Sequence, residues 1–454
     1  FDEALYFALE LLALNKNRAM SYYRIGMIYA DLERYDDAIR SMSRAHELEP
    51  QDLKYMEAYA QALGYKGLYE KEIEFLESQL RKCRGRVDVK QLHYHLGHAC
   101  YDTFRFRDAL YHYNIAREVL PDFRDDIDWD IAVVHLASGN LMRGWEGYQM
   151  RRLCHFSRLD PAIPVWDGEQ DIEGKTLLVT AEQGLGDEIL FATCLPELQK
   201  SGARISLECD ERLHPVFRRS FPDIQLLRRD DGASYLCDAD YFIPSGSLPI
   251  LYRQRHEDFP GRLRVLETDI TKRQYWKKRL AGLSDKPKVG VMWKSSITGK
   301  KRSFSNTNIQ NWLPVLSLKG IDYINLQYSD ADNDIEWLQT RHNIKLHKFE
   351  ELDLYNDIDG QLALIDELDL VISICSCVYD FSGALGKETW LLLYRAEWIT
   401  LGTGKIPWFP SVRICQAVGY TGGQEFQFLR NQLIRKFSLA EKIHPDTAGM
   451  KGEI

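Results

Sequence analysis

Two stretches, far apart in the chain, carry the residues best suited to chemistry. The first is Thr176-Leu-Leu-Val-Thr-Ala-Glu-Gln-Gly-Leu-Gly-Asp-Glu-Ile189. The second is Asp369-Leu-Val-Ile-Ser-Ile-Cys-Ser-Cys-Val-Tyr-Asp-Phe-Ser-Gly-Ala-Leu-Gly386. Each reads as an apolar, β-branched run, then a short loop, then a helix start. Such a junction aims unpaired backbone N–H groups and the positive end of a helix at an anion, phosphate above all. In the first stretch Gly184 and Gly186 permit a tight turn and close approach of a ligand. Asp187 follows at the helix start. It is either a capping carboxylate, worth roughly 1 kcal/mol, or a general base that takes the proton of an acceptor hydroxyl. In the second stretch Ser376 and Cys377 fall at the helix start, where their N–H groups and the Ser376 hydroxyl could hold a phosphate. Gly383 and Gly386 either serve the site or let the helix pack closely on the sheet.

A third loop adds charge. Lys294-Ser-Ser-Ile-Thr-Gly-Lys-Lys-Arg-Ser303 holds four cations and four hydroxyls. That composition suits a diphosphate leaving group, whose neutralisation is the main electrostatic task in nucleotide-sugar transfer. A solvated basic loop is the plain alternative. Arg302 is the preferred phosphate ligand, because a guanidinium pairs phosphate in bidentate fashion, with Lys294, Ser295, Lys301 and Ser303 around it.

Other chemistries fit poorly. Gly184-Leu-Gly186 lacks the third glycine of a dinucleotide fingerprint and the Gly-Lys-Ser/Thr of a P-loop. Asp330-Ala-Asp-Asn-Asp334 lacks the glycine and terminal Glu of a calcium loop and reads as a helix N-terminus. Cys375 and Cys377 are the close pair among nine scattered cysteines, and no second pair stands at ligand spacing. No metal is therefore expected. The scattered cysteines suggest no disulfide framework and fit a reducing cytoplasm.

These loops need scaffolds. After a linker at 153–173, strands alternate with helices through two segments, 174–284 and 285–440. That pattern predicts two doubly wound parallel sheets with a ligand cleft between them. The first segment is expected to hold one long helix from Asp187 to Lys200. The second is expected to hold a helix over Ile309–Leu318 and a closing helix over residues 425–437. A tail, 441–454, is expected to fray.

Residues 1–152 read as a helical repeat array. Tyr22, Ile25, Gly26, Tyr29, Ala38, Met42, Ala45 and Pro50 match the tetratricopeptide pattern. His93, Leu96, Gly97, Cys100, Ala109, Tyr113, Ala116 and Pro121 repeat the same offsets. A weaker copy lies between them, and a degenerate pair over Trp129–Ser138 and Leu141–Arg152 follows. Solenoid cores need their neighbours, so Trp145 and Tyr148 are expected to seal the last pair against the next domain. Phe1, Ala4, Ala8 and Leu11 fit the second helix of another repeat, which predicts further repeats upstream. Phe1-Asp-Glu-Ala lacks the basic start and cleavage site of a signal peptide.

The 454 residues are 45% apolar and 28% charged, a globular balance with room for two or three domains. A net charge of −9 argues against binding a nucleic-acid backbone. No apolar run is long enough for a membrane span.

Taken together, the chain resembles bacterial tetratricopeptide-repeat proteins fused to a GT-B glycosyltransferase domain. That domain is similar to heptosyltransferases and, more distantly, to O-GlcNAc transferase. The markers span nearly the whole chain: Gly144-Trp-Glu-Gly-Tyr-Gln-Met-Arg151, Trp166-Asp-Gly168, Glu182-Gln-Gly-Leu-Gly-Asp187, Val289-Gly-Val-Met-Trp293, Arg302-Ser303, Asn325-Leu-Gln-Tyr328, Leu368-Asp-Leu-Val-Ile-Ser373, Gly383-Ala-Leu-Gly386 and Pro407-Trp-Phe-Pro-Ser411. The resemblance implies a repeat solenoid followed by two Rossmann-like domains around a cleft. A nucleotide-sugar would be bound by the C-terminal domain and an acceptor offered by the N-terminal one, without a metal. It also implies that Asp187 is the base, that the loops through Arg302 and Ser376–Cys377 hold donor phosphates, and that Gln327-Tyr328 borders the donor.

The chain departs from its relatives where they carry Asp or Asn then Thr at Cys375-Ser376, His at Asp380, and Trp-Arg at Trp398-Ile399. A His donates to a diphosphate, whereas an ionised Asp would repel it. The expected function is transfer of a sugar to a protein or surface-glycan acceptor recruited by the repeats. The alternative is a non-catalytic repeat scaffold whose degenerate transferase domain binds partner proteins.

Overall fold

The computed structural model describes residues 6, 18–86, 88–151, 163–229, 239–259, 261, 264–295, 307–416 and 424–440. The array comprises helices α1 (Ala19–Asp31), α2 (Tyr35–Leu48), α3 (Leu53–Tyr65), α4 (Tyr69–Lys82), α5 (Leu92–Asp102), α6 (Phe106–Val119), α7 (Arg124–Ala137) and α8 (Leu141–Tyr148). Its small residues act where helices cross. A methyl on Gly26 would fall 2.6 Å from Met42 Cγ, and one on Gly97 would fall 2.5 Å from the Tyr113 ring. Gly144 meets Leu136 in the same way, at 2.5 Å. The degenerate pair α7–α8 thus obeys the packing rule of the clear repeats. Helix α7 starts earlier than the expected Trp129, because Pro121 opens the turn before it and Asp125 and Asp126 favour its positive end.

Two parallel sheets follow. The first has the order β3-β2-β1-β4, with β1 Thr176–Thr180, β2 Arg204–Cys209, β3 Gln225–Arg228 and β4 Tyr241–Pro244. The second has the order β10-β9-β8-β5-β6-β7. Its strands are β5 Lys288–Met292, β6 Asp322–Asn325, β7 Leu346–His347, β8 Leu370–Ile374, β9 Thr389–Leu393 and β10 Val412–Gln416. Strands β5, β8 and β9 are buried at every position, which explains their largely apolar sequences. Strand β10 was not anticipated; it pairs with β9 from Val412↔Thr389 to Gln416↔Leu393.

Two expected helices are broken. The first-domain helix α9 spans only Leu185–Ala192, and a short Leu195–Leu198 turn follows. Pro196 has no N–H to continue the ladder. Ile309–Leu318 resolves into a 3-10 turn, Ile309–Trp312, and a short helix, Leu313–Leu316, with Pro314 near its start. The longer helices beyond are α10 (Ile270–Ala281), α11 (Asp332–His342), α12 (Ile358–Asp366), α13 (Cys377–Ala384) and α14 (Gln424–Lys436). Among the described residues no helix is long and apolar enough to cross a membrane.

Array and sheets share one core. Leu136, Leu141, Trp145 and Tyr148 cluster with Val179 and Ile189 of the first unit and Ile374, Phe381 and Trp408 of the second. The Trp145 indole N–H donates to the Arg253 carbonyl at 2.8 Å, and its ring meets Trp398 and Trp408 edge-on, 5.9 and 6.0 Å away. Arg151 is wholly buried and donates to Glu182 at 2.6 Å and to Ser247 Oγ at 3.1 Å. Glu182 also accepts from Gly246 N–H at 2.8 Å. This buried pair ties the end of the array to the loop after β1, while Arg219, between β2 and β3, pairs with Asp359 of α12 and links the first sheet's helices to the second's.

Candidate functional site

Each sheet reverses its order beside a strand that leads into a candidate loop. In the first sheet the chain runs from β1 to β2 and β3, then returns to β4 on the other side. In the second it runs from β5 to β6 and β7, then returns to β8. Ligands collect outside the carboxyl ends of strands at such reversals. The loops after β1, β5 and β8 are Ala181–Gly184, the stretch from Lys294, and Cys375–Ser376. The loops after β1 and β8 open onto one cleft of about 710 Å³, lined among others by Gly184, Gly186, Asp187, Tyr328, Ser376 and Asp380.

At the first junction Gln183 adopts a left-handed φ of 57°, sparsely populated for a non-glycine residue. It is held there by Arg229, which donates to its carbonyl at 2.8 Å, and by its own amide, which donates to Tyr148 Oη at 3.0 Å. Gly184 caps α9, and the Asp187 carboxylate accepts from the Gly184 N–H at 3.2 Å. The capping role is therefore realised, with Asp187 still on the cleft wall. The adjacent Glu188 is buried and turned inward, accepting from Asp210 N–H at 2.9 Å and pairing with Arg229 at 3.1 Å. Burial pushes its carboxyl up to about 7.

At the second junction Ser376 caps α13, and its hydroxyl lies 3.2 Å from that of Ser373. Burial, then Asp380, push the Cys377 thiol up to about 12, so it stays protonated. Asp380 stands in the first turn, buried, and its Oδ1 finds no partner among the described residues. Burial, with Asp187 reinforcing it, pushes this carboxyl well above the ordinary aspartate value, against a hydrogen bond with Tyr379 that pulls it down. The shift opposes the repulsion expected from an ionised Asp380, because the group holds its proton to higher pH than an ordinary aspartate. The two helix starts touch: a methyl on Gly186 would overlap the Asp380 carboxylate and sit 3.5 Å from Cys377 Cα.

A pH dependence follows. The folded-state value of Asp380 lies above its unfolded value. Its contribution to stability is full below the ordinary aspartate range and is lost as pH rises through the raised value. Asp380→Asn, neutral and of the same shape, is expected to flatten that decline in denaturant melts run across pH. An unchanged slope would show that Asp380 titrates like an exposed carboxylate.

Not every expected residue joins the cleft. Ser295 lines both this cleft and a second cavity of about 680 Å³ between the array and the C-terminal domain. Lys294 faces only the second, its ammonium 2.9 Å from Asp334. Gln327 is buried behind the loop and braces it, accepting from Lys294 N–H at 3.0 Å and donating to Lys294 O at 2.6 Å. Gly383 lies against Phe409, 2.6 Å from where its methyl would be, which is the packing role. Gly386 takes a left-handed φ of 70° just past the end of α13. Lys301, Arg302 and Ser303 lie outside the described residues. No group of three or more His, Cys, Asp or Glu that could hold a metal occurs among the described residues.

Two cleft arginines escaped the sequence reading. Arg212 follows the carboxyl end of β2 and Arg395 that of β9, and both line the cleft, as does Trp129 of the array. Their position just beyond strand ends was the available signal. Arg212 is clamped by Asp210 at 2.9 and 2.8 Å, donates to Tyr355 O at 3.1 Å and sits 5.0 Å from the Tyr355 ring centre. In turn the Arg212 guanidinium holds the Asp210 carboxyl below its usual range.

Comparison with known proteins places this geometry in context. A tetratricopeptide-repeat family model matches residues 19–52. Protein FlbA of Caulobacter vibrioides is 33% identical over 300 residues, covering 62% of this chain and 50% of that protein. The chain thus spans half the length of the curated relative it matches. A family 9 glycosyl transferase from Veillonella parvula superposes with a TM-score of 0.42 at 12% identity, over 59% of this chain and 91% of that one. The ADP-heptose lipopolysaccharide heptosyltransferase II of E. coli does so with a TM-score of 0.41 at 13% identity, over 58% and 98%. The chain itself joins a tetratricopeptide-type helical array to two parallel α/β sheets that face one cleft.

Proposed function

We propose that the protein is a glycosyltransferase that moves a sugar from a nucleotide-sugar to a hydroxyl of a protein or surface-glycan acceptor, without a metal. The observation that carries this reading is the meeting of two helix starts from separate sheets, Gly184–Asp187 and Ser376–Asp380, in one cleft. In this reading Asp187 takes the acceptor proton as the acceptor oxygen bonds to the anomeric carbon. The bond from that carbon to the nucleoside diphosphate breaks, and the diphosphate leaves with the electron pair. The N–H groups and positive end of α13 at Ser376 and Cys377 receive the developing charge. Tyr328 borders the donor, and Lys301, Arg302 and Ser303 are assigned as further donor ligands. The division we propose is an array over 1–152, an acceptor-side domain over 174–284 and a donor-side domain over 285–440.

A screen of nucleotide-sugars by thermal shift tests the reading. A ligand at a hundred times its dissociation constant stabilises by about 2.7 kcal/mol, so one donor series is expected to raise the melting temperature in a concentration-dependent way. No shift with any nucleotide-sugar at millimolar concentration would count against transfer. One observation favours the second reading, a non-catalytic scaffold: the Asp187 carboxylate already caps its own helix. Tight capture of a partner protein by a chain that binds no nucleotide would support that reading.

A further inference from the structure

Arg395 leaves the carboxyl end of β9, and Ser376 leaves that of β8, its parallel neighbour in register at Ile374↔Leu392. Adjacent strands lie roughly 4.8 Å apart, so the two residues leave one sheet edge side by side. Arg395, Ser376, Trp398 and Ile399 line the same cleft.

The guanidinium is held by Glu397, which lines the cleft beside it, and by Asp102 of the array, which does not. Its Nε donates to Glu397 at 3.1 Å, and one terminal nitrogen lies 3.8 Å from the carboxylate of Asp102. Asp102 is the last residue of α5, so the negative end of that repeat helix also faces Arg395. The Asp102 carbonyl accepts from Ala396 N–H at 3.4 Å, fixing the backbone beside the arginine. A guanidinium has five N–H donors, more than these contacts use. Burial pushes the Asp102 carboxyl up to about 6, against the pull of the neighbouring Arg395. Among the described residues Arg212 also lines this cleft, from the first sheet's side, and Asp210 and Tyr355 O engage each of its three nitrogens.

We infer that Arg395 is the cation that grips the diphosphate of the nucleotide donor, and that Asp102 of the repeat array is its positioning residue. The inference rests on the transferase reading and extends it. A residue of the array then takes part in organising the donor pocket, and the repeats serve donor binding as well as acceptor recruitment.

The test is calorimetric titration of the full chain with UDP, GDP and ADP, each beside its bare nucleoside. A charge-assisted phosphate contact is worth about 1.5–3 kcal/mol, or about 10- to 150-fold in affinity. Arg395→Met is expected to weaken the diphosphate that binds wild type by at least that lower factor and to leave the nucleoside within twofold. Arg395→Lys keeps the charge and loses the fork, and is expected to fall between. Asp102→Asn is expected to weaken the diphosphate severalfold with the nucleoside unmoved. Diphosphate binding within twofold of wild type in Arg395→Met would overturn the assignment, as would equal loss of nucleoside and diphosphate in both Arg395 variants. If wild type binds no nucleotide, the transferase reading itself falls. If wild type binds and Arg395→Met changes nothing, that reading stands and only Arg395 is misassigned.

Discussion

Asp187→Asn is expected to lower the turnover of sugar transfer by about 10²- to 10⁴-fold, the usual contribution of a positioned general base. The substitution separates the two roles this residue holds. Asn keeps an oxygen that can accept from the Gly184 N–H, the contact Asp187 makes at 3.2 Å. It gives up the negative charge at the start of α9, worth about 0.3–1 kcal/mol at an exposed helix end. Stability should therefore move little while turnover collapses. Asp187→Ala removes the cap as well and should lose about 1 kcal/mol more. Turnover in Asp187→Asn equal to wild type, with active donor and acceptor at saturation, would leave Asp187 a capping residue only.

The largest effect on stability is expected at the buried pair Arg151–Glu182. Both side chains are almost wholly excluded from solvent, and the pair sits over Gly246, whose methyl would fall 2.8 Å from the guanidinium and 2.9 Å from the carboxylate. Removing one partner strands a buried charge, which costs about 3–5 kcal/mol. Arg151→Ala and Glu182→Ala should each lower the unfolding free energy, read from denaturant melts, by that amount. Replacing both with methionine should recover much of the loss, since an apolar pair of similar volume needs no partner. The position of the pair matters as much as its energy. It joins the last turn of the array to the loop that presents Gln183 and Gly184, so the single variants should also loosen the first junction. A loss below about 1 kcal/mol in either single variant would mean that water reaches the pair.

Much of this was legible in the chain because the signals are local. Gly26 and Gly97 stand at equal offsets from Ala38 and Ala109, since two helices can cross closely only where a side chain is missing. The runs before Ala181 and Cys375 read as strands because a sheet buried on both faces takes mostly apolar residues. The helix expected from Asp187 to Lys200 failed at a signal that was in plain view, Pro196. Strand β10 was hidden by its short mixed run, Val412-Arg-Ile-Cys-Gln416, which becomes a strand only because β9 offers it a partner.

The site was harder to read, and for a physical reason. Asp380 looked like a repelling charge, and the upward shift of its carboxyl comes from burial, to which Gly186 across the cleft contributes. Lys294 looked like a phosphate ligand, and Asp334 on α11 turns its ammonium into the second cavity. Arg395 was passed over because its anchor, Asp102, belongs to a repeat helix that packing alone brings beside it.

The central claim is that the two junctions are halves of one ligand site. Hydrogen–deuterium exchange of the full chain, with and without the nucleotide-sugar that raises its melting temperature, tests this directly. One ligand should slow exchange at Gln183–Asp187 and at Cys375–Asp380 together, since both segments line the same cleft. Protection confined to one junction, or to neither, would contradict it.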